Sequence, residues 1–461
     1  MRPLKYSIVG LIILMMAFPA LGAQQRARLP QSAYLKSAKI ALFDKEPRLE
    51  EAMQLLDSML FYYGPAPEAY FYRGNIYAEY ATRETDPKAK IEKYSIMSAN
   101  YDSLASSCVD EKVKKDLKKD CKKLNDLADS VRIKYWAESY NEGVKSIEKL
   151  DKEIGSKVSE ATDSVSLAAA NAEMRAEADS GRNYFMIATA VDPKDYRAYE
   201  GVGLVFDRTK DVDSSIAWFE KAYAVSPDTT AHLVQNIAYS YIQKGDHAKA
   251  IEYFKKFLKF APNDGNTLFN IAICYSNLQM NDSSVSYDLK AIAADSMLAG
   301  PNIDIGQYYL IRSRVYSDSM QYYAQQEKAE EVKKFKAMRE SLLDSSSSYF
   351  AVAAKLKPDD AQILEQYGVA KLVAGHFTEA AEIYQKLAEL EPTKKDVWVS
   401  LGDIYVQEQK FKEAIPPYEK ATEIDPNDAE IWKVLKDIYS SLNMPDKAKM
   451  AEAKMAELKK Q

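Results

Sequence analysis

Histidine and cysteine, the side chains that most often hold metals or perform acid–base and nucleophilic catalysis, are scarce in this chain of 461 residues. Its three histidines, His232, His247 and His376, do not form a metal-binding or catalytic motif. The sequence also has no Walker phosphate loop, HExxH zinc motif, CxxC pair or GxSxG nucleophile turn. We therefore predict no catalytic residues, no metal site and no enzymatic activity.

The three cysteines are expected to be shielded thiols. Cys108 and Cys121 are thirteen positions apart in helix-like sequence, and on one helix they would be separated by about 20 Å. That distance is too long for a disulfide. Cys274 lies in a pattern typical of a helix core, where a thiol behaves as a small apolar group.

Neither a cofactor nor a nucleic acid is expected as a ligand. Gly201-Val202-Gly203 looks like the start of a dinucleotide-binding loop, but no strand is predicted before it and Gly203 serves helix packing. The chain has 62 Lys and Arg against 68 Asp and Glu, for a net charge of -6. This balance argues against a general nucleic-acid-binding protein.

Small and aromatic residues recur with a period of about 34 residues, which indicates an array of helical hairpins. In residues 395–428, Gly402 and Ala414 are small where two helices would cross, and Tyr418 fills the space beside them. The other residues of this block that fit are Trp398, Leu401, Tyr405, Ala421 and Pro426. The preceding block, residues 361–394, repeats the pattern with Leu364, Tyr367, Gly368, Gly375, Phe377, Ala380, Tyr384, Leu387 and Pro392.

The pattern resembles that of tetratricopeptide repeats over nearly all of the chain after its N-terminal segment. Residues 265–298 fit less well, because Ser284 and Asp288 occupy the usual alanine and aromatic positions. The resemblance implies an all-α fold, a right-handed superhelical solenoid of about nine helix-turn-helix hairpins, two of them with elongated helices. It also implies that the chain binds other proteins.

We predict six segments along the chain. From Asp110 to Leu150, apolar residues recur at three- and four-residue steps without a proline, which predicts one long amphipathic helix. The segments are a signal peptide (1–23), a divergent repeat pair (24–109), the long helix with an extended hairpin (110–195), three repeats (196–298), a second extended hairpin (299–360) and C-terminal repeats with a capping helix (361–461).

Residues 1–23 have the features of a secretory signal peptide. Arg2 and Lys5 precede an apolar run from Ile8 to Phe18, and small residues follow, with cleavage expected after Gly22 or Ala23. The run is too short to span a bilayer. We expect a bacterial-type exported protein without a transmembrane anchor after cleavage, either periplasmic, associated with the periplasmic face of the envelope, or secreted.

The resemblance further implies a concave groove lined by the first helix of each hairpin. Asn side chains can donate to and accept from a peptide backbone, and aromatic rings can hold an apolar side chain. An alternative is that these residues are ordinary surface groups and that Phe269 packs against its neighbour. The predicted partner-binding residues are Asn236, Tyr239, Phe269, Asn270 and Ile273.

The sequence therefore predicts a non-enzymatic scaffold or adaptor that binds peptide segments or helices of other cell-envelope proteins. A second hypothesis is an accessory subunit or carrier for an envelope enzyme that acts on polysaccharide or lipid. In that case the groove would hold a non-protein ligand, and a row of exposed aromatic side chains would support it.

Overall fold

The computed structural model describes residues 29–226 and 230–458, and every regular element in those ranges is helical. The predicted signal peptide, residues 1–23, lies outside the described residues. The chain divides into two compact units between Thr209 and Lys210. None of the described helices is long and apolar enough to cross a bilayer.

The first five helices of the first unit increase in length along the chain. Two helical turns of other types, a 3-10 turn at Lys115–Lys118 and a π-helical turn at Leu150–Ile154, adjoin the long helix α5. The helices are α1 (Gln31–Leu42), α2 (Leu49–Tyr63), α3 (Pro67–Arg83), α4 (Pro87–Val109), α5 (Cys121–Lys149), α6 (Gly155–Glu160), α7 (Ser164–Val191) and α8 (Tyr196–Arg208).

The second unit consists of short helices and one long pair. Its helices are α9 (Val212–Val225), α10 (Ala231–Lys244), α11 (His247–Phe257), α12 (Gly265–Asn277), α13 (Asn281–Ala294), α14 (Ala299–Gln325), α15 (Ala329–Leu356), α16 (Ala361–Ala374), α17 (Phe377–Leu390), α18 (Lys395–Gln407), α19 (Phe411–Ile424), α20 (Ala429–Ser441) and α21 (Pro445–Leu458).

Helices that follow one another pack in pairs, for example α3 with α4, α10 with α11 and α12 with α13. In the first unit the short helix α6 intervenes, and α5 pairs with α7. These two helices have 29 and 28 residues, and the long pair of the second unit, α14 and α15, has 27 and 28. The prediction of an all-α, solenoid-like fold of helical hairpins, two of them elongated, is confirmed.

Tight turns join the helices of a standard hairpin. Gly245 adopts a left-handed conformation, with φ of +79°, and ends α10. The next residue, Asp246, accepts a hydrogen bond from the backbone N–H of Lys249 at 3.0 Å and so caps α11. A glycine at the first position and an acceptor side chain at the second allow the chain to reverse within two residues.

In two of the C-terminal hairpins, a glycine of the first helix packs against an aromatic ring of the second helix. A Cβ atom added to Gly402 would lie 2.8 Å from the ring of Tyr418, and one added to Gly368 would lie 2.6 Å from the ring of Tyr384. Both tyrosines are buried. The glycines therefore allow the two helices to approach closely, as the repeat pattern predicts.

The prediction of one helix from Asp110 to Leu150 is correct for Cys121–Lys149 but wrong for the residues before Cys121. Helix α4 ends at Val109, and α5 begins only at Cys121. The carboxylate of Asp110 accepts a hydrogen bond from the backbone N–H of Lys112 at 2.9 Å, so it offers the chain a turn in place of a further helical turn. Val113 is buried inside this turn, which explains an apolar residue in helical register without a helix.

The prediction that Cys108 and Cys121 cannot form a disulfide is also wrong, because it assumed that one helix joins them. The two residues form a disulfide with a Cα–Cα distance of 5.9 Å, which links the end of α4 to the start of α5. Cys274 is a buried free thiol, as expected. Burial raises its pKa to about 11.

Candidate partner-binding surface

The predicted partner-binding residues lie on two neighbouring first helices of the second unit. Asn236 and Tyr239 belong to α10, and Phe269, Asn270 and Ile273 belong to α12. Tyr239 is 39% exposed, and the other four are half-buried. We call these five residues the α10–α12 surface.

Tyr239 connects the two helices of this surface. Its hydroxyl accepts a hydrogen bond from the side-chain amide of Asn270 at 3.1 Å. Its ring packs edge-on against the buried ring of Phe254, with 5.4 Å between the ring centroids. An aromatic side chain that is supported in this way loses little conformational freedom when it binds a ligand.

Phe269 also has a structural role. The edge of its ring lies 2.4 Å from the point where a Cβ atom on Gly300 would be, so the ring packs directly on the first turn of α14. Part of this side chain therefore stabilises the contact between neighbouring hairpins. Its predicted role in binding stays a prediction.

Past Ile273, the surface leads into a pocket of about 760 Å³ between α12, α13 and α14. Ser276, one helical turn after Ile273, lines its edge. The side chains that lie deeper include Ser284 and Asp288 of α13 and Asp304 of α14. We call this cavity the α13 pocket.

The α13 pocket lies where the repeat departs from its own pattern. In the standard repeats of this unit, the position of Asp288 holds Phe219, Phe254, Tyr384 or Tyr418, and all four rings are buried. Asp288 is much smaller than these residues, so it leaves space that an aromatic ring would fill. The sequence showed this misfit at Ser284 and Asp288, but a misfit alone did not identify a site.

Asp288 is an unusual buried carboxyl group. Its exposed fraction is 0%, and neither of its oxygens has a hydrogen-bond partner among the described residues. The hydroxyl of Ser284, one turn earlier, donates instead to the carbonyl of Ala272 at 3.0 Å. Burial, with a smaller contribution from the charge of Asp304, raises the pKa of Asp288 to about 8, and the nearby Ser284 hydroxyl opposes this shift.

Asp304 brings a second carboxyl group to the same pocket. It lies 34 positions after Asn270, which lies 34 positions after Asn236, so the three residues occupy equivalent places on successive first helices. Asp304 is half-buried, and burial raises its pKa to about 6. The repeat therefore places an acid where the two preceding hairpins present an amide.

The outer edge of the pocket carries one cation and a third acid. The hydroxyl of Tyr308 donates to a carboxylate oxygen of Asp282 at 2.8 Å and accepts a hydrogen bond from the guanidinium of Arg312. The guanidinium also lies 3.8 Å from Asp282. Arg312 is thus paired at the edge and does not neutralise the two deeper carboxyl groups.

The histidines do not assemble into a site among the described residues. His376 lies near two carboxylates, 3.7 Å from Asp344 and 3.8 Å from Glu379. His232 and His247 lie at the start of α10 and of α11. The described ranges contain no group of three or more His, Cys, Asp or Glu side chains that could hold a metal ion.

Family profiles described as tetratricopeptide repeat match residues 167–229, 231–264 and 371–438. The chain contains tetratricopeptide repeats. Tetratricopeptide repeats typically bind other proteins and are typically not catalytic. The last profile spans the Gly402–Tyr418 contact, and the second spans both α10 residues of the α10–α12 surface.

Curated relatives match this chain over part of its length. The mouse protein O-mannosyl-transferase TMTC3 is 24% identical over 201 residues, which is 43% of this chain and 20% of that protein. Subunit 6 of the anaphase-promoting complex of Arabidopsis thaliana is 31% identical over 104 residues, which is 22% of this chain and 19% of that protein. The chain thus spans about a fifth of the length of these relatives.

Solved structures of repeat proteins are also similar to the chain. The C-terminal part of a repeat protein from Cytophaga hutchinsonii aligns over 56% of this chain and 93% of its own, with 14% identity and a TM-score of 0.41. A tetratricopeptide repeat protein from Parabacteroides merdae aligns over 64% of this chain and 99% of its own, with 15% identity and a TM-score of 0.33.

Proposed function

We propose that this tetratricopeptide-repeat protein is a non-enzymatic scaffold that binds segments of partner proteins along the α10–α12 surface. The observation that carries the proposal is the Asn270–Tyr239 hydrogen bond of 3.1 Å, which joins amide and aromatic groups of two hairpins into one continuous surface. Such a preformed surface can bind an extended segment through many weak contacts at a low cost in ordering.

The partner is proposed to be a protein of the cell envelope, and the scaffold to be exported. Two observations support this location. The sequence of residues 1–23 is typical of a signal peptide. Cys108 and Cys121 form a disulfide, a bond that persists mainly in oxidising compartments.

The test is crosslinking in cells, followed by affinity capture of the tagged protein from the envelope fraction. One variant combines Asn236→Ala, Tyr239→Ala and Asn270→Ala, which removes the amides and the exposed ring. Phe269 is kept, because its removal would also loosen the contact with Gly300. We expect the main crosslinked protein to be lost in this variant.

A matched control carries substitutions on second helices of the same hairpins. Glu252→Ala on α11 and Leu289→Ala on α13 change two exposed side chains that are not part of the α10–α12 surface. This variant should capture the same proteins as the wild type. Equal capture by all three proteins would refute the proposed surface, and an empty capture by all three would favour the alternative of a non-protein ligand.

A further inference from the structure

The α13 pocket has an unsatisfied polar group at its buried end. The carboxyl group of Asp288 is fully buried and lines the cavity, and its two oxygens have no hydrogen-bond partner in the described part of the chain. Buried polar atoms in proteins are nearly always hydrogen-bonded, and one that is not costs free energy. A ligand that donates hydrogen bonds at this point would remove that cost.

The charges around the pocket favour a cation. Asp282, Asp288 and Asp304 line it, against one cationic side chain, Arg312, and the guanidinium of Arg312 already contacts Asp282 and Tyr308 at the edge. The two deeper carboxyl groups therefore have no basic side chain opposite them among the residues that line the cavity. Carboxylates in a partly dry site bind ammonium groups strongly.

The walls of the pocket favour a hydrocarbon stem behind that cation. Three apolar side chains also line the cavity: Val285 of α13 and Ile311 and Val315 of α14. Ile311 is 63% exposed and Val315 is 61% exposed, so both offer apolar surface that a ligand could cover. Contact with a chain of methylene groups would remove this surface from water.

We propose that the α13 pocket binds an aliphatic ammonium group, with the charge at Asp288 and Asp304 and the hydrocarbon stem against Val285, Ile311 and Val315. A lysine side chain of a bound protein segment and a free alkylamine share this chemistry. The inference goes beyond the proposed scaffold function, and it can be tested on the purified protein without any partner.

Binding of an ammonium group is expected to release a proton. Burial raises the pKa of Asp288 to about 8, so the carboxyl group is mostly protonated at pH 7 before an ammonium group binds. An ammonium group at hydrogen-bond distance favours the carboxylate. The proton of Asp288 then passes to the buffer, and a carboxylate–ammonium pair remains.

The test is isothermal titration calorimetry on the purified full chain at pH 7, with millimolar probe. The probes are Nα-acetyl-lysine N-methylamide, which represents a lysine in a protein segment, and 1,5-diaminopentane, which represents a free alkylamine. Nα-acetyl-norleucine N-methylamide is the uncharged control with a similar stem. Two buffers with different ionisation enthalpies report the proton that is released.

Three variants accompany the wild type. Asp288→Asn keeps the size of the side chain and removes its charge, and Asp304→Asn does the same for the second acid. Asp318→Asn is the matched control, because Asp318 is an acid further along α14 that does not line the pocket. Circular dichroism of each variant checks the fold.

We expect the wild type and Asp318→Asn to bind at least one charged probe with release of a proton, and to bind the norleucine compound at least tenfold more weakly. Asp288→Asn should bind the charged probe at least tenfold more weakly and release no proton. Tighter binding of the lysine compound indicates a protein-borne ligand, and tighter binding of the diamine indicates a free amine.

The proposal is refuted if the charged probes bind no better than the norleucine compound, or if Asp288→Asn binds them as well as the wild type. If Asp288→Asn does not fold, Asp304→Asn decides between the same outcomes. A failure here leaves the capture experiment on the α10–α12 surface unaffected, because that experiment changes no residue of the pocket.

Discussion

Replacement of Asp288 by asparagine should make the free energy of unfolding of helix α13 less sensitive to pH. The pKa of Asp288 is raised to about 8 by burial and, to a smaller extent, by Asp304. In the unfolded chain an aspartate has a pKa of about 3.9. The folded protein therefore keeps a proton over a range of pH in which the unfolded chain has lost it.

The sign of the effect follows from this difference in bound protons. Between about pH 4 and pH 8 the folded state binds one proton more than the unfolded state, so the free energy of unfolding falls as the pH rises. The slope is about 1.4 kcal/mol per pH unit, which gives about 4 kcal/mol between pH 5 and pH 8. The asparagine side chain of the variant has no proton to lose, so this contribution is absent there.

The other charged and titratable groups around the pocket stay the same in both proteins. They are Asp282 of α13 and Asp304, Tyr308 and Arg312 of α14. The pKa of Asp304 is raised to about 6, so this group adds its own decrease in stability up to about pH 6. The difference between variant and wild type therefore gives the contribution of Asp288, including its interaction with Asp304.

Native-state hydrogen exchange with detection by mass spectrometry measures the relevant quantity, the free energy of opening of the amides in α13, at each pH from 5 to 8. We expect Asp288→Asn to gain about 4 kcal/mol relative to the wild type over this range. Asp318→Asn should follow the wild type. A difference between Asp288→Asn and the wild type that changes by less than about 1 kcal/mol would refute the assignment of a buried, protonated Asp288.

Three further predictions concern stability and accessibility. Replacement of both Cys108 and Cys121 by Ser should lower the free energy of unfolding by about 3 kcal/mol, as expected for loss of a disulfide that closes a short loop, and urea unfolding measures it. Cys274 should resist a thiol reagent in the native protein and react after unfolding, because it is buried and its pKa is raised to about 11. Gly402→Val should lower the free energy of unfolding, measured in urea, by about 1–3 kcal/mol, because even a Cβ atom would lie 2.8 Å from the ring of Tyr418.

The helical hairpins were predictable because their packing needs particular residue types at fixed positions. Gly402 and Tyr418 touch in the structure as the repeat requires, and neither could be exchanged for a residue of another size without a change in the distance between the helices. Such contacts are local in sequence and recur with each repeat. The sequence pattern and the structure therefore agree in each repeat that has the expected residue types at these positions.

The segment between Cys108 and Cys121 was not predictable from the same kind of pattern. Its apolar residue Val113 lies in helical register with the residues around it, yet it is buried in a turn. The side chain of Asp110, which bonds to the backbone of Lys112, and the disulfide stabilise this turn. Periodicity reports which residues are buried, but it does not distinguish burial in a helix from burial in a loop.

The α13 pocket was only partly predictable. The sequence shows that Asp288 breaks the repeat, but the loss of an aromatic ring can be followed either by collapse of the neighbouring helices or by a cavity. Only the arrangement of α12, α13 and α14 shows that a cavity remains. The packing of Phe269 on Gly300 likewise depends on the distance between two hairpins, which a repeat pattern does not give.

The long pair α14 and α15 offers a place for labels and insertions. All fully buried residues of α14 lie between Ala299 and Ser313, and those of α15 lie between Leu343 and Ala353. The turn at residues 326–328 and the helical turns beside it are therefore attached to the rest of the unit only through their own two helices. A fluorophore or a small inserted domain at this turn should leave the α13 pocket intact. It would allow the binding of a partner protein to be followed by fluorescence anisotropy.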